Sequence, residues 1–278
     1  MVKGLKFWKM HGLGNDYIVI DNTDNKLRHL NLGELAKILC RRGFSIGADG
    51  LLLACTSKVA EVKMRIFNPD GSEAEMCGNG IRCLAKFCYE NGIVKKETFT
   101  VETLAGIKHV WLSTANGEVG SVKVDMEEPS FDRKAIPMLG EGKCINEELN
   151  VDGEIFKVTC LSMGNPHCVI FVDDLASVPL EKVGPKIEHH EKFPKRVNVE
   201  FVQVLSPKEI RVRVWERGVG ETTACGTGAC ASVTAGYILG KTGKRVKVNL
   251  LGGSLEIHYN GRIFMEGPAV KVFAGELF

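Results

Sequence analysis

The chain has 278 residues, of which 44% are hydrophobic and 25% are charged, and its 36 basic and 34 acidic side chains leave a net charge of +2. This balance is typical of a globular protein with one large or two mid-sized cores, and it excludes the strongly basic surface that nucleic-acid or membrane binding favours. The N-terminal residues resemble no signal peptide, no uncharged stretch could span a bilayer, and ten cysteines without a C-x-x-C pair favour reduced thiols in the cytoplasm over disulfides or a zinc site.

In the first half, β-branched and aromatic residues recur in short runs that predict strands. The runs are Leu5–Trp8, Tyr17–Asp21, Gly50–Ala54, Ala60–Phe67, Thr98–Glu102, Ile107–Leu112 and Ser121–Met126. A helix is predicted over Leu32–Arg42, with Asn31 as its N-cap. A second helix is predicted from Cys77 to Gly92, because apolar residues recur there at helical spacing and a glycine is a common helix end.

The second half repeats the same alternation of strands around one helix. Its predicted strands are Ile155–Met163, Cys168–Val172, Val199–Leu205, Glu209–Trp215, Val246–Leu250, Ser254–Tyr259, Arg262–Met265 and Ala269–Phe273. The helix predicted from Cys225 to Gly240 carries no charged side chain, so we expect it to be buried on every side. The run Glu181–Lys195 mixes both charge signs and is interpreted as a solvated face.

Two near-identical motifs relate the halves to each other. M-C-G-N-G-I-R-C begins at Met76 and A-C-G-T-G-A-C-A begins at Ala224, so their first cysteines differ by 225 − 77 = 148 positions. The same offset aligns Arg65 with Arg213 and Glu73 with Glu221. We therefore expect an internal repeat in which each half presents one cysteine at the start of a helix.

This repeat predicts an α+β protein of two pseudo-symmetric domains. Each domain is expected to be a curved mixed or antiparallel sheet wrapped around a central helix. The expected boundaries are residues 1–126 plus 267–278 for the first domain and residues 127–266 for the second.

Cysteines at helix starts suit proton transfer. The unpaired N–H groups and the dipole of a first helical turn lower the pKa of a thiol and attract anions, and glycines let a ligand approach those groups closely. A carboxylate held at both motifs would leave its α-carbon between two sulfurs. A buried cysteine capping a helix is the common alternative for either residue alone, but the repetition of C-G-x-G favours a paired site.

Further polar residues stand where predicted strands end. Gly164–His167 reads as a tight turn, either directing Asn165 and His167 at a ligand or only closing the chain. Arg217 suits bidentate capture of a carboxylate, or else a surface salt bridge. No metal-ligand spacing, dinucleotide-binding glycine motif or pyridoxal-type lysine is recognisable.

These residues lie within longer strings that closely resemble the diaminopimelate epimerase family. The strings are H-G-L-G-N-D-Y, I-G-A-D-G-L, F-N-P-D-G-S-E-A-E-M-C-G-N-G-I-R-C, S-M-G-N-P-H-C-V, R-V-N-V-E-F and V-W-E-R-G-V-G-E-T-x-A-C-G-T-G-A-C-A, spread from Lys9 to the C-terminus. The resemblance implies a cofactor-independent isomerase that interconverts LL- and meso-diaminopimelate for lysine and peptidoglycan synthesis. It also implies a homodimer, with Phe273 as a dimer contact, and no metal, nucleic-acid or membrane partner.

The resemblance also assigns roles to individual positions. Cys77 and Cys225 match the catalytic acid and base, and His167 and Glu216 match groups that tune the two thiols, His167 paired with Cys77 and Glu216 with Cys225. The positions that match substrate-binding residues are Asn15, Asn68, Gly78, Asn79, Asn165, Asn198, Glu216, Arg217, Gly226 and Thr227. One departure is Gly50, where some members carry a glutamine that touches the substrate.

Two rival interpretations remain at this point. Proline racemases and hydroxyproline epimerases share the fold and the logic of two thiols, although a cyclic imino acid has no use for Arg217 and several asparagines. A thiol-rich protein that binds a small carboxylate, or senses oxidants, without turnover is the rival from another class. Incorporation of solvent deuterium at the substrate α-carbon separates an enzyme from such a binding protein.

Overall fold

The computed structural model describes residues 3–278, and these divide into two compact units. Unit 1 comprises the described residues up to Asp125 together with Glu266–Phe278. Unit 2 comprises Met126–Met265. The last segment of the chain therefore belongs to the unit in which the chain begins.

Unit 1 contains nine strands and two helices. They are β1 (Lys6–Gly12), β2 (Asn15–Asp21), α1 (Leu32–Leu39), β3 (Gly50–Cys55), β4 (Val62–Phe67), β5 (Glu73–Ala74), α2 (Gly78–Glu90), β6 (Thr98–Thr103), β7 (Gly106–Ala115), β8 (Glu118–Asp125) and β18 (Val270–Glu276). The pairings run β18–β1–β2–β3–β4–β6–β7–β8, with the short β5 also on β4. Only β2–β3 and β4–β6 are parallel.

Unit 2 repeats this plan. Its elements are β9 (Cys144–Val151), β10 (Glu154–Ser162), β11 (Pro166–Phe171), α3 (Leu180–Glu188), β12 (Asn198–Ser206), β13 (Glu209–Glu216), β14 (Gly220–Thr222), α4 (Gly226–Ile238), β15 (Arg245–Leu250), β16 (Gly253–Tyr259) and β17 (Ile263–Gly267), the last crossing the boundary to unit 1. The pairings run β9–β10–β11–β12–β13–β15–β16, with β14 on β13, and again β11–β12 and β13–β15 are parallel.

Each unit packs its sheet around one helix. Helix α2 contacts β1, β2, β3, β4, β7 and β8, and α4 contacts β10, β11, β12, β13, β15 and β16. The expected α+β class, with a sheet around a central helix in each half, is confirmed. Helix α4 is buried from Gly228 through Gly236, but Ile238 in its last turn is 41% exposed, so the expected burial on every side holds only for its first turns.

A second helix covers the outer face of each sheet. Helix α1 buries Leu35 and Leu39 against β2 and β3, and α3 buries Val183 and Ile187 in the corresponding core of unit 2. The expectation that residues 181–195 form a merely solvated face is wrong, because the apolar side of α3 completes that core. Burial of these side chains contributes about 1.5–3 kcal/mol each to folding.

Candidate active site

Cys77 is the N-cap of α2 and has an extended backbone, with φ of −143°. Its side chain is half-buried, whereas the other nine cysteines are buried. Among the described residues it makes no capping bond to the first turn of its helix. The N–H groups of Gly78 and Asn79 open that turn, so an anion beside Cys77 would meet the positive end of the helix dipole.

Tyr17 holds the sulfur of Cys77 from β2. Its hydroxyl lies 2.9 Å from Sγ of Cys77 and donates to Oδ1 of Asn15. The same Asn15 oxygen accepts from Nδ2 of Asn79 at 3.3 Å. Burial, followed by the charge of Cys77, raises the pKa of Tyr17 well above its usual range, so the phenol keeps its proton at neutral pH.

Asn15 is oriented from its other end by a charged network. Its Nδ2 donates to Oδ2 of Asp49 at 3.0 Å, and Nη2 of Arg42 bridges Oδ1 of Asp49 at 2.8 Å and Oδ1 of Asp16 at 2.5 Å. Lys9 lies 2.7 Å from Asp16. Burial opposes ionisation of Asp16, but its bonds to Arg42 and Lys9 lower its pKa to about 2.

The first turn of α2 is held by Arg82, which is fully buried. Its Nη1 donates to the carbonyl of Gly78 at 3.0 Å, and its Nη2 donates to Oδ1 of Asn79 at 2.9 Å. Because the Asn79 oxygen is engaged by Arg82, its Nδ2 is turned towards Asn15. Asn15, Asn79 and Cys77 thus form one connected group in unit 1.

Gly50 and Asn68 occupy the remaining expected positions of unit 1. A Cβ atom at Gly50 would lie 3.2 Å from the ring of Tyr17 and 3.1 Å from the carbonyl of Phe67, so the tyrosine fills the space a larger residue would need. Asn68 is half-buried, and its Nδ2 donates to Oγ of Ser72 at 2.9 Å. The ring of Tyr17 therefore packs directly against Gly50.

Cys225 is the N-cap of α4, and its surroundings differ from those of Cys77. It is 6% exposed, its Sγ accepts from the N–H of Gly228 at 3.3 Å, and Oγ1 of Thr227 lies 3.4 Å away. Asn165 donates from Nδ2 to the same Thr227 oxygen at 3.2 Å. Gly226 begins the helix and is buried with the cysteine.

Two carboxylates lie near Cys225. Glu216 accepts a hydrogen bond from Oγ1 of Thr222 at 2.5 Å, and burial raises the pKa of Glu216. Burial, then the charges of Glu216 and Glu200, raise the pKa of Cys225 well above its usual range, against the opposing bonds from Thr227 and Gly228. At Cys225, burial and the two anions outweigh the lowering of the pKa that a helix start alone would give. At neutral pH Cys225 is a thiol.

His167 lies in β11 and is fully buried beside Glu200. Its Nδ1 is 2.6 Å from Oε1 of Glu200, and its Nε2 is 3.0 Å from Oδ1 of Asn165. The turn expected at residues 164–167 is shorter than predicted, since β11 begins at Pro166. The structure brings His167 to Asn165 within unit 2, and its expected pairing with Cys77 stays a prediction.

Asn198 and Arg217 meet at the end of β13. Nδ2 of Asn198 donates to the carbonyl of Pro166 at 2.8 Å, and its Oδ1 accepts from the backbone N–H of Arg217 at 2.9 Å. The guanidinium of Arg217 is exposed and donates to the carbonyl of Lys195 at 3.2 Å. Asn198 therefore positions the backbone of Arg217, and Arg217 keeps further donors for a ligand.

Glu188 supports this loop from α3. Its two carboxylate oxygens accept from Nε1 of Trp215 and from the N–H of Gly218, each at 2.8 Å. Glu216 and Arg217 lie in the chain between Trp215 and Gly218, the two residues that Glu188 binds. Four residues of the site were not predicted from the sequence, namely Glu188, Glu200, Tyr17 and Asp49. Glu200 lies in the R-V-N-V-E-F string, and an acidic residue between apolar strand residues is a signal of a buried charge.

Equivalent positions of the repeat show which side chains near the two thiols differ between the units. At the 148-residue offset, Glu200 corresponds to Leu52 and Glu216 corresponds to Asn68, since 200 − 52 = 216 − 68 = 148. A Cβ at Gly80 would lie 3.3 Å from Leu52, and one at the equivalent Gly228 would lie 2.8 Å from Oε1 of Glu200. Unit 2 therefore carries two carboxylates where unit 1 carries neutral side chains.

Three further observations bear on the remaining expectations. Phe273 lies on β18, is 48% exposed, and meets the ring of Phe7 edge-on at 6.1 Å. Within residues 3–278, no three His, Cys, Asp or Glu side chains are grouped so that they could hold a metal ion. Nor is any helix in this range both long and apolar enough to cross a membrane.

Comparison with known proteins identifies relatives over nearly the whole chain. A family model described as "Diaminopimelate epimerase" matches residues 7–131 and 159–272. A protein of Pelotomaculum thermopropionicum named diaminopimelate epimerase is 54% identical over 275 residues, covering 98% of each chain. One of the same name from Methanococcus maripaludis is 50% identical over 277 residues, covering 98% of this chain and 99% of that protein.

Solved structures share the fold at lower identity. A hydroxyproline epimerase from Agrobacterium vitis superposes with a TM-score of 0.72 at 14% identity, over 99% of this chain and 92% of that one. A phenazine biosynthesis protein of the PhzF family from Bacillus anthracis gives a TM-score of 0.69 at 18% identity, over 100% of each chain. At such identities the likeness concerns the fold alone.

Proposed function

The chain belongs to the diaminopimelate epimerase family, and from that premise we propose that it interconverts LL- and meso-2,6-diaminopimelate by moving the α-proton between the thiols of Cys77 and Cys225. The observation that carries this proposal is the pair of cysteines at equivalent helix starts with different surroundings. Cys225 has two carboxylates that keep it protonated, whereas Cys77 has a phenol and carboxamides. Proton transfer across a carbon needs such a pair, one thiol and one thiolate.

The proposed reaction has two proton transfers at one carbon. The thiolate of Cys77 removes the α-proton from one face, and the thiol of Cys225 delivers its proton to the opposite face. After turnover the protonation states of the two sulfurs are exchanged, so the enzyme is then ready for the product of opposite configuration. General acid–base catalysis of this kind requires each group within hydrogen-bond reach of the proton it moves.

The α-carboxylate is proposed to bind at the first turns of α2 and α4. N–H groups at helix starts bind anions, and here they would also stabilise the negative charge that develops on the carboxylate as the α-proton leaves. The glycines at positions 78 and 226 leave room for that approach. Asn15 and Asn165 are proposed to bind the α-amino group through their side-chain oxygens, because each side chain is hydrogen-bonded to the first turn of one of these helices.

The second amino-acid head of diaminopimelate is proposed to bind Arg217. An exposed guanidinium matches a carboxylate with two parallel hydrogen bonds. Asn68, Asn198 and Glu216 complete the proposed contacts of that head, with Asn198 acting through the backbone of Arg217. Proline has no second amino-acid head, so a requirement for Arg217 distinguishes this proposal from proline racemisation.

Three wider assignments complete the proposal. The two thiols supply both proton carriers, so we infer that the reaction uses no cofactor. We also infer a place in the synthesis of lysine and peptidoglycan precursors in the cytoplasm. A homodimer is inferred as well, supported by the exposed apolar side chains of Val270, Val272 and Phe273 on β18.

Deuterium incorporation tests the function directly. Purified protein incubated with LL-diaminopimelate in deuterated water is expected to give meso product labelled at the inverted α-carbon. Early in the reaction the recovered LL substrate should be unlabelled, because in a two-thiol mechanism the abstracted proton and the delivered deuteron travel on different sulfurs. L-proline and hydroxyproline serve as control substrates. The absence of label from diaminopimelate would overturn the proposal.

A further inference from the structure

Tyr17 and His167 occupy equivalent places in the two units. In the parallel pair β2–β3, Tyr17 lies opposite Gly50, and in the parallel pair β11–β12, His167 lies opposite Asn198. Gly50 and Asn198 are themselves related by the repeat, since 198 − 50 = 148. Tyr17 is therefore the counterpart in unit 1 of the residue that family resemblance assigns to thiol tuning.

One contact of the two side chains is also equivalent. Tyr17 bonds Oδ1 of Asn15, and His167 lies 3.0 Å from Oδ1 of Asn165. Each of these asparagines also bonds the third residue of a C-G-x-G motif, Asn15 accepting from Asn79 and Asn165 donating to Thr227. The two side chains differ in their other contact. The hydroxyl of Tyr17 lies 2.9 Å from Sγ of Cys77, whereas Nδ1 of His167 lies 2.6 Å from Oε1 of Glu200.

We propose that Tyr17 is a positioning residue that hydrogen-bonds Cys77 in both of its protonation states and stabilises the thiolate. The inference rests on the proposed role of Cys77 as a proton carrier. When Cys77 is a thiol, its S–H donates to the phenol oxygen while the phenol O–H donates to Asn15. When Cys77 has lost its proton, the phenol O–H turns and donates to Sγ, and no covalent bond of the phenol breaks.

The surroundings of the phenol support this exchange of partners. Tyr17 is 2% exposed, so water does not compete for its hydroxyl. Asn15 is fixed by Asp49 through its Nδ2, and its Oδ1 keeps the bond from Asn79 when the phenol turns away. A substrate ammonium that donates to the same Asn15 oxygen would compete with the phenol proton there. Substrate binding and hydrogen bonding to the thiolate would then favour each other.

The other titratable and charged groups near this pair are few. Cys83 and Arg82 lie on α2, and Asp49 precedes β3. Burial raises the pKa of Cys83 to about 12, so it remains a thiol at neutral pH. Arg82 is engaged with Gly78 and Asn79, and Asp49 with Asn15 and Arg42. Tyr17 is the neutral donor in direct contact with the sulfur.

The pH dependence of alkylation at Cys77 tests the inference without any substrate. Cys77 is the half-buried cysteine among nine buried ones, so iodoacetamide should modify it first, and mass spectrometry of its peptide gives the rate at each pH. A hydrogen bond to a charged group is strong enough that Tyr17→Phe should raise the pH of half-maximal alkylation by about one to two units. Tyr89→Phe is the matched control, since it removes a hydroxyl near the other end of α2 and should leave the midpoint unchanged.

A second substitution keeps the test decisive if Tyr17→Phe does not fold. Fluorotyrosine at position 17 makes the phenol a stronger donor and should move the midpoint downwards. A Tyr17→Phe midpoint equal to that of the wild type, or below it, overturns the inference. If the midpoint moves upwards as expected but diaminopimelate acquires no deuterium, the proposed function fails and the contact between Tyr17 and Cys77 stands.

Discussion

The imidazole of His167 and the carboxylate of Glu200 lie 2.6 Å apart with neither side chain exposed to solvent. The carboxylate accepts from Nδ1, which fixes the orientation of the ring and directs Nε2 at Asn165. The other oxygen of Glu200 has no hydrogen-bond partner within residues 3–278. A buried anion with an unpaired oxygen is costly, so its presence beside Cys225 indicates an electrostatic role.

Replacing Glu200 by glutamine should make Cys225 easier to ionise. Because the charge of Glu200 raises the pKa of Cys225, Glu200→Gln should lower that pKa and move the corresponding limb of the pH–rate profile to lower pH. Turnover should fall about tenfold or more, since His167 loses a charged partner. Glu216→Gln should move the same limb further, because Glu216 is the larger of the two charge effects. If this limb of the pH–rate profile stays in place in both variants, the two carboxylates do not set the pKa of Cys225.

Each cysteine should be required for epimerisation. Cys77→Ala and Cys225→Ala are expected to abolish conversion of LL- to meso-diaminopimelate, because each removes the proton carrier on one face. Cys225→Ser should still exchange the α-proton of LL substrate slowly, as Cys77 can remove and return it on the same side. Cys230→Ala, on the same helix as Cys225 but outside the motif, is the control and should remain active. Wild-type conversion in either catalytic alanine variant would end the two-thiol proposal.

Arg217 should determine affinity for the second head of the substrate. Truncating the partner of a hydrogen-bonded carboxylate costs about 2–5 kcal/mol, so Arg217→Ala should lower kcat/KM by about 30-fold or more. The fold should be unaffected, because the side chain is exposed and its one described bond goes to the carbonyl of Lys195. Arg211→Ala, at an exposed arginine of β13, the strand that Arg217 follows, is the matched control. Equal kinetics in the two variants would place the distal head elsewhere.

The charged network behind Asn15 should make unit 1 sensitive to acid. The pKa of Asp16 is about 2 in the folded chain and about 3.9 in an unfolded one, so its contribution is complete above pH 4 and is lost as the pH falls towards 2. With its partial exposure taken into account, we expect Asp16→Asn to remove about 1–2 kcal/mol of this pH-dependent stability. Urea unfolding at pH 6, 4 and 3 measures the effect. The exposed Asp24→Asn is the control and should follow the wild type at every pH.

Association should depend on the apolar side chains of β18. If Val270, Val272 and Phe273 lie in a dimer interface, then Phe273→Lys places a charge in a buried apolar contact and should favour the monomer. Sedimentation equilibrium at several protein concentrations gives the dissociation constant. Leu104→Lys, at a similarly exposed apolar residue of unit 1, controls for the added charge. An unchanged mass for Phe273→Lys would move the interface away from this strand.

The C-G-x-G repeat was sufficient to predict the two helices that begin after Cys77 and Cys225, and the α+β class. The same repeat contains α3, a helix that was not predicted from the sequence. Helices α1 and α3 begin at Leu32 and Leu180, and 180 − 32 = 148. Pro185 and the mixed charges of that segment hide its helical periodicity, whereas the offset does not. An internal repeat therefore predicts an element even where local propensity argues against it.

The contacts of Glu200 could not be predicted in the same way. Strand β12 is buried on both faces over its first residues, because α4 packs on one side and α3 on the other. Without an alternation of buried and exposed positions, the sequence does not tell which face a polar residue occupies. The difference in charge around the two thiols depends on which face of β12 Glu200 occupies. Only the three-dimensional structure shows that face.

The return of β18 to β1 has a consequence for the order in which the chain folds during synthesis. Lys6 pairs with Glu276, which is made 276 − 6 = 270 residues later, whereas the bond between Met126 and Ile263 joins the two ends of unit 2 within that unit. Unit 2 is therefore a continuous segment that can fold as soon as it leaves the ribosome. Unit 1, although most of it is made first, lacks a strand of its sheet until residues 270–276 have been made. A released chain truncated before residue 270 should carry a closed unit 2 and an incomplete unit 1, with Cys77 present in a unit that lacks its last strand.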